Sequence, residues 1–290
     1  MSTIINENKI QSILADTKSE DVVKIREILA KALEFGGLDL EETAQLMIVK
    51  DQELLQEVFI AANKVKEEIY GKRLVLFAPL YVSNLCTNEC LYCAFRAANK
   101  DLTRRFLSPL EIKNETEQLI NQGHKRILLL AGESYPHDDF QYILDAIKTI
   151  YNVRNVNGAI RRINVELAPL AVDDFKKLKE AAIGTYIVFQ ETYHRDTYKR
   201  VHLSGKKADY DWRITAHDRA MRAQIDDVGL GALLGLYDWK FEVLALLQHA
   251  NYLQHNFGVG PHTISVPRLE PALGSELASR PLAPVSDSDF

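Results

Sequence analysis

The segment Asn84–Arg96 reads NLCTNECLYCAFR and contains all three cysteines of the 290-residue chain. Cys86, Cys90 and Cys93 follow the spacing C-x3-C-x2-C, so that one short loop presents three thiols. An odd number of cysteines confined to one loop cannot form a disulfide framework. The sequence therefore predicts that these thiols act as ligands.

The chemistry of the thiolates narrows the choice of ligand partner. Three thiolates on one loop suit a 4Fe-4S cube, because iron–sulfur clusters take soft sulfur ligands at close quarters. They leave the fourth iron free to chelate the amino and carboxylate groups of a small molecule. Zinc is the alternative, but the next histidine, His124, lies outside any finger-like spacing from Cys93. Buried cysteines without a metal are a further alternative.

The composition is that of an ordinary globular chain, with 47% apolar and 26% charged residues. A net charge of −5 provides no basic field for a phosphate backbone, so we expect no nucleic-acid partner. The longest apolar runs, Ile127–Gly132 and Val228–Tyr237, are too short to cross a membrane. The N-terminus lacks secretory and transit patterns, so we expect a cytoplasmic protein whose thiols stay reduced.

The pattern of the sequence changes near residue 72. Residues 1–72 show the three- and four-residue spacing of amphipathic helices, which predicts an N-terminal helical extension. Residues 73–290 alternate short apolar runs with amphipathic helices, which predicts a parallel α/β sheet in a barrel or a doubly wound arrangement. The six strand candidates are Leu74–Leu80, Arg126–Gly132, Ile163–Ala168, Thr185–Gln190, Val228–Leu236 and Thr263–Val266.

Polar residues follow these runs, at the edge where the carboxyl ends of parallel strands gather active-site groups. His194 is a candidate general base and Arg268 a candidate clamp for a carboxylate. Structural interpretations stay open, since Gly132 and Glu133 suit a turn with a helix cap and an outward-facing Glu166 would be solvated. A histidine in a loop such as that of His194 is also commonly structural. The predicted site residues of this edge are Gly132, Glu133, Glu166, Gln190, Glu191, His194, His262 and Arg268.

With the aromatic Tyr92 before its third cysteine, the cysteine loop resembles the signature of the radical S-adenosylmethionine superfamily. The resemblance implies a (β/α) TIM-type barrel, here incomplete with about six β-α units, and a 4Fe-4S cluster whose open iron chelates S-adenosylmethionine. It implies that a reductant such as ferredoxin or flavodoxin supplies the electron that produces a 5′-deoxyadenosyl radical. Gly132 and Glu133 resemble the segment that meets the methionine amino group, with Ala131 replacing its first glycine. Glu166 matches the polar residue that reads the ribose or amino group.

Longer segments, at residues 77–84, 189–198, 225–239 and 258–268, resemble the tyrosine lyases of this superfamily. These include the iron-only hydrogenase maturation enzyme, which is the closer match, and the 2-iminoacetate synthase of thiazole biosynthesis. The resemblance implies hydrogen abstraction from L-tyrosine or a similar aromatic amino acid, and cleavage of the Cα–Cβ bond to p-cresol and dehydroglycine. A non-catalytic iron–sulfur-binding fragment or scaffold is the alternative.

The chain departs from these enzymes on its C-terminal side. The resemblance implies a second cluster that converts dehydroglycine to carbon monoxide and cyanide, but no cysteine follows Cys93. An eight-stranded barrel also needs two strands beyond the six predicted. We therefore expect a C-terminally truncated enzyme that binds a cluster and S-adenosylmethionine but cleaves tyrosine weakly or not at all.

Overall fold

A six-stranded parallel sheet forms the centre of the protein. The structure is a computed structural model that describes residues 4–290, except the side chain of Asp138. A separate hairpin of two short strands lies beside it. The sheet strands are β1 Ala78–Ser83, β2 Arg126–Ala131, β5 Arg162–Glu166, β6 Thr185–Ile187, β7 Asp227–Gly231 and β8 Thr263–Ser265, and the hairpin strands are β3 Arg154–Asn155 and β4 Gly158–Ala159.

Helices precede the sheet and connect its strands. Those of the N-terminal part are α1 Glu7–Asp16, α2 Val22–Leu33, α3 Leu40–Leu46 and α4 Gln52–Tyr70. Those that follow β1 are α5 Pro109–Asn121, α6 Gln141–Asn152, α7 Val172–Glu180, α8 Arg195–Val201, α9 Tyr210–Ile214, α10 Ala216–Arg222, α11 Trp239–Phe257 and α12 Glu276–Ser279, with a 3-10 turn at Lys206–Ala208.

Side-chain caps explain where several helices begin. Ser108 and Glu111 form a reciprocal capping box at the start of α5, and Asp39 and Glu42 form another at the start of α3. Asp238 accepts two backbone N–H groups at the start of α11. These bonds satisfy amide groups that the first helical turn leaves without partners.

The strand order β1-β2-β5-β6-β7-β8 follows the chain, and every neighbouring pair is parallel. This confirms the predicted α/β sheet and brings the carboxyl ends of all six strands to one edge. Within residues 4–290, β1 and β8 are the two edge strands of the sheet. The first predicted strand is displaced: residues 74–77 are exposed, because pairing between β1 and β2 begins only at Ala78 and Ile127.

The N-terminal helices pack in two ways. Helices α1 and α3 contact α11, and Ile10, Ile13 and Leu40 join the main hydrophobic core around the sheet. Helices α2 and α4 pack against each other around a smaller cluster that includes Ile25 and Leu54. The division of the chain at residue 72 therefore stays a prediction, since part of the extension shares the core of the sheet. No helix within residues 4–290 is both long and apolar enough to cross a membrane.

A buried carboxyl group fixes the segment that follows β6. Glu242 of α11 is fully buried and accepts hydrogen bonds from the Thr192 hydroxyl (2.5 Å) and the Tyr193 N–H (2.8 Å). Burial raises the pKa of Glu242 to about 8, although both hydrogen bonds oppose the rise. This segment directly follows Gln190 and Glu191, so α11 helps to position the carboxyl edge of the sheet.

Glu242→Gln is expected to flatten the pH dependence of folding stability. The folded Glu242 carboxyl retains its proton to a higher pH than the unfolded one, with its ordinary pKa of 4.5. The folded state therefore binds more protons between about pH 4.5 and pH 8, and stability falls as the pH rises through that window. We expect the wild-type free energy of unfolding to fall by about 1 to 4 kcal/mol from this group, as measured by denaturant unfolding.

The amide of Glu242→Gln can accept the Tyr193 N–H through its oxygen and donate to the Thr192 hydroxyl through its NH2 group, so both contacts persist without a titrating group. This part of the pH dependence should therefore vanish in the variant. Glu115→Gln, at an exposed position of α5, is the matched control and should follow the wild type. Identical pH profiles for the wild type and Glu242→Gln would refute the prediction.

Candidate iron–sulfur site

A cavity of about 200 Å³ opens at the carboxyl ends of β1, β2, β5 and β6. All three cysteines line it, together with residues that follow three different strands. The predicted site residues on its wall are Cys86, Cys90, Tyr92, Cys93, Gly132, Glu133, Glu166 and Glu191. Residues spread over more than 100 positions of sequence thus meet in one place.

The cysteine loop, residues 84–96, has little regular structure and depends on side chains to satisfy its backbone. The Arg104 guanidinium donates to the carbonyls of Asn84 (2.9 Å), Phe95 (2.8 Å) and Arg96 (2.6 Å). The Asn99 amide donates to the carbonyls of Ala94 (2.8 Å) and Leu273 (2.9 Å). Because buried carbonyls need partners, these bonds hold the loop in one conformation.

The donor set fits a 4Fe-4S cluster. All three cysteines are free thiols, and the Phe95 N–H donates to the Cys93 sulfur (3.3 Å). Burial raises the pKa of Cys90 to about 12 and also raises that of Cys93, while Lys207 opposes both shifts. A soft metal therefore displaces protons when it binds these thiols.

The arrangement of the thiols favours a cluster over a single ion. Among residues 4–290, no three His, Cys, Asp or Glu side chains converge as one metal ion requires. A cube binds each thiolate through a different iron, so its ligands need not meet at one point.

A second segment, residues 200–207, pairs with the cysteine loop, and we call it the flanking segment. The Leu203 N–H donates to the Glu89 carbonyl (2.8 Å), and Cys90 and His202 form an antiparallel bridge. His202 Nε2 lies 2.7 Å from the Tyr92 hydroxyl, and its Nδ1 lies 2.9 Å from the Tyr198 carbonyl. Burial lowers the pKa of His202 to about 2. The neutral ring thus donates a hydrogen bond from Nδ1 to the Tyr198 carbonyl and accepts one at Nε2 from the Tyr92 hydroxyl.

Gly132 allows the chain after β2 to pass against the cysteine loop. A Cβ atom at this position would lie 2.1 Å from the Leu85 carbonyl oxygen. The Gly132 N–H donates to the Ser83 carbonyl (2.9 Å), which continues the pairing of β1 with β2. Only glycine fits this approach, which gives a steric reason for glycine at position 132.

Four buried charges form a network on the cavity wall. Arg213 Nη1 lies 2.8 Å from Glu133 Oε1, and Lys207 Nζ lies 2.7 Å from Glu191 Oε1. Each cation also approaches the other carboxylate, at 3.7 Å for Arg213 to Glu191 and 3.5 Å for Lys207 to Glu133. The Asn88 amide donates to Glu133 Oε2 (2.9 Å) and ties the network to the cysteine loop.

The network keeps Glu133 and the two cations ionised. Burial alone would raise the pKa of Glu133, but the attraction of Arg213 and Lys207 brings it to about 2. The pKa values of both cations are raised by the two carboxylates in spite of burial. Glu191 has a φ of 71°, in the left-handed region that few non-glycine residues occupy, which is typical of functional sites.

Glu166 stands apart from this network. It lines the cavity at the end of β5, and no cation forms an ion pair with it in the described part of the chain. Burial and the charge of Glu191 raise its pKa to about 7. Near pH 7 both the protonated and the ionised form of this carboxyl group are therefore present, so it can donate a hydrogen bond to a ligand or accept one from it.

The structure does not bring four predicted residues to the cavity wall. Gln190 is buried, and its Nε2 atom has no hydrogen-bond partner within residues 4–290. His194 caps the N-terminus of α8, where its Nδ1 accepts the Thr197 N–H (3.3 Å), and it stacks on Tyr237. These contacts match the structural interpretation of His194.

His262 and Arg268 do not share an edge of the sheet, contrary to the prediction. His262 precedes β8 and donates its N–H to Val228 at the start of β7, so it lies at the amino-terminal edge. The three residues of β8 separate it from the opposite edge. Arg268 does follow β8 but pairs with Asp287 (2.5 Å).

Sequence reasoning missed Asn88, Lys207 and Arg213, which complete the wall. Lys207 and Arg213 lie in the 3-10 turn and in α9, well beyond the end of β6. Charge balance was the available signal, because Glu133, Glu166 and Glu191 were predicted at one edge with a single cation. Buried carboxylates need matching cations, so further basic residues were required.

The fold and the site together define an iron–sulfur protein with a ligand cavity at the carboxyl edge of a parallel α/β sheet. Residues 80–250 match the model of the Radical SAM superfamily, which covers more than half of the chain. The chain therefore belongs to the radical SAM superfamily. The predicted TIM-type fold and the cofactors of the family, a 4Fe-4S cluster and S-adenosylmethionine, are confirmed.

The chain is similar to known members of this superfamily. It is 51% identical to HydG, a maturase of the FeFe-hydrogenase, with a TM-score of 0.95 over 99% of this chain and 63% of that one. HydG from Carboxydothermus hydrogenoformans is 45% identical, with a TM-score of 0.85 over 93% of this chain and 62% of that one. The 2-iminoacetate synthase of Escherichia coli (strain K12) is 32% identical over 84% of this chain and 63% of its own length. The chain thus spans less than two thirds of these relatives.

Gly132→Ala is expected to disrupt the site, because the added methyl group would collide with the Leu85 carbonyl. Moving either backbone segment should lower the free energy of unfolding by about 1 to 3 kcal/mol. Iron content after anaerobic reconstitution should fall as well. Gly36→Ala is the control, since nothing lies within 4 Å of its added methyl group. Equal iron content and equal melting temperatures in the two variants would contradict this account.

Proposed function

We propose that the protein uses its cluster and S-adenosylmethionine to produce a radical that abstracts hydrogen from an aromatic amino acid of the L-tyrosine type. Cleavage of the substrate Cα–Cβ bond, to p-cresol and dehydroglycine, is the proposed outcome. The observation that carries the proposal is the cavity that three thiols and five charged side chains share. The 51% identity to HydG over nearly the whole chain supports the lyase class.

Cys86, Cys90 and Cys93 are the proposed cluster ligands. The cluster, when bound, supplies the electron that cleaves the sulfonium. Arg213 and Lys207 both approach Glu133 Oε1, whereas Oε2 accepts a hydrogen bond from Asn88 and retains a lone pair for an ammonium group. We assign it the methionine amino group of S-adenosylmethionine.

Glu166 is assigned the ribose or amino group of the same ligand, because it is a carboxyl group on the wall without an ion-pair partner in residues 4–290. Tyr92 contributes an aromatic side chain to the cavity wall, and its hydroxyl is fixed by His202. Gly132 leaves room for the loop that holds the cluster ligands. These side chains bind and orient the ligand and exclude water, while the cofactors supply the radical chemistry.

The substrate, the reductant and the cellular location are proposed on the similarity to the relatives named above. The reductant is a low-potential carrier such as ferredoxin or flavodoxin, and the location is the cytoplasm. The 2-iminoacetate synthase similarity supports the same substrate class.

Reconstituted protein tests the proposal directly. With dithionite, S-adenosylmethionine and L-tyrosine under anaerobic conditions, we expect 5′-deoxyadenosine and a low yield of p-cresol. No p-cresol should form when tryptophan replaces tyrosine. Cys93→Ser should lose cluster iron and 5′-deoxyadenosine together, because a cube needs all three thiolates. If adding S-adenosylmethionine leaves the electron paramagnetic resonance spectrum of the wild-type cluster unchanged, the non-catalytic alternative is favoured and the proposal is refuted.

Glu166→Gln is expected to weaken S-adenosylmethionine binding without loss of cluster iron, because no ion pair is broken. The wild-type carboxyl group, with a pKa of about 7, becomes anionic as the pH rises from 6 to 8. Affinity for the cationic ligand should therefore increase by up to about tenfold over that range in the wild type and stay flat in the variant. Equilibrium binding at several pH values measures both curves, with Glu115→Gln as the control. A pH-dependent curve in the variant would assign the titration to another group.

A further inference from the structure

The last turn of α8 and the flanking segment together present exposed basic residues next to the cysteine loop. Lys199 and Arg200 occupy the last turn of α8, and Lys206 begins the 3-10 turn; all three are exposed. None of the three forms an ion pair with any residue in the range 4–290. Leu203, with 57% of its surface exposed, lies among them in sequence and adds an apolar centre.

This surface is directly connected to a proposed cluster ligand. The Leu203 N–H donates to the Glu89 carbonyl (2.8 Å), and the Glu89 N–H donates to the Ser204 carbonyl (3.1 Å). The next residue along the cysteine loop is Cys90, whose backbone pairs with His202. The exposed Leu203 is therefore connected to Cys90 through one backbone hydrogen bond, to Glu89, and the peptide bond that follows.

Acidic residues do little to cancel the charge of this surface. The Glu89 side chain is only 14% exposed and is paired with Arg96 at 2.7 Å. Asp196, in the first turn of α8, is exposed and contributes one negative charge, against two positive charges from Lys199 and Arg200 in the last turn. The surface thus carries a net positive charge on a chain whose overall charge is −5.

We propose that Lys199, Arg200, Leu203 and Lys206 form the docking surface for an acidic one-electron carrier protein. The proposal rests on the proposed function, which requires an electron at the cluster. The carrier transfers one electron to the cluster and is itself oxidised by one electron, so the step is balanced without a further reactant.

The arrangement matches what transient docking of a charged partner requires. Cations at a rim steer an acidic partner and raise its association rate, and an apolar centre supplies a desolvated contact. All three cysteines line the ligand cavity, and none of the four residues of the proposed surface does. The carrier and S-adenosylmethionine can therefore approach the cluster position from different sides.

Charge reversal tests the surface on the cluster-loaded protein. The triple variant Lys199→Glu, Arg200→Glu and Lys206→Glu should lower the rate of cluster reduction by a reduced bacterial two-cluster ferredoxin about tenfold at low ionic strength. The difference should shrink as added salt shortens the Debye length to about 3 Å near 1 M. Reduction by dithionite should not change. Calorimetric titration with the same ferredoxin gives a readout that does not depend on turnover.

Two controls make the result specific. Reversal of three exposed lysines elsewhere, Lys64, Lys66 and Lys148, changes the net charge of the chain by nearly the same amount and should leave the carrier-driven rate close to that of the wild type. Leu203→Ser should weaken ferredoxin binding without altering its salt dependence, because it removes only the apolar centre.

The inference is overturned if the two triple variants behave alike, or if wild-type reduction by ferredoxin does not slow with added salt. It is also overturned if calorimetry shows equal ferredoxin binding by the wild type and the first triple variant. Failure of the proposed function looks different: dithionite then yields no 5′-deoxyadenosine from the wild-type protein, whatever ferredoxin does.

Discussion

The site depends on a buried arrangement of two carboxylates and two cations, Glu133, Glu191, Lys207 and Arg213. A charge removed from water is costly unless an opposite charge and hydrogen bonds compensate for it. These four groups come from the ends of two strands, a 3-10 turn and a short helix. Each must therefore be in place before any other is satisfied. Asn88 extends the same requirement to the cysteine loop.

The network does not balance every charge of the cavity. Glu166 is a third carboxyl group on the wall, and the described residues provide no third cation opposite it. Three thiolates would add further negative charge once a cluster displaced their protons. A cavity with this excess favours a ligand with cationic groups, as S-adenosylmethionine has in its sulfonium and ammonium. Burial, together with the charge of Glu191, raises the pKa of Glu166 to about 7.

Local sequence was sufficient where spacing alone determines the chemistry. The three cysteines lie on one loop, so their cooperation was predictable, and the apolar runs located all six strands of the sheet with a displaced start for β1. Prediction failed where the outcome depended on distant partners. Residues 74–77 are apolar yet exposed because no strand within residues 4–290 pairs with them. His262 lies at the amino-terminal edge because it precedes β8, where its N–H bonds to Val228 at the start of β7.

Lys206 and Lys207 show why composition could not reveal which basic residues lie in the ligand cavity. These neighbours have the same side chain, yet Lys206 is exposed while Lys207 lies against two buried carboxylates. Pairing between the flanking segment and the cysteine loop determines this difference, since Asn88 accepts the Lys207 N–H (3.0 Å). One backbone contact thus assigns one lysine to the ligand cavity and leaves the other outside. The register in which the flanking segment pairs with the cysteine loop thus decides which lysine lies in the cavity. Neither the number of charges nor the spacing of the motif determines this register.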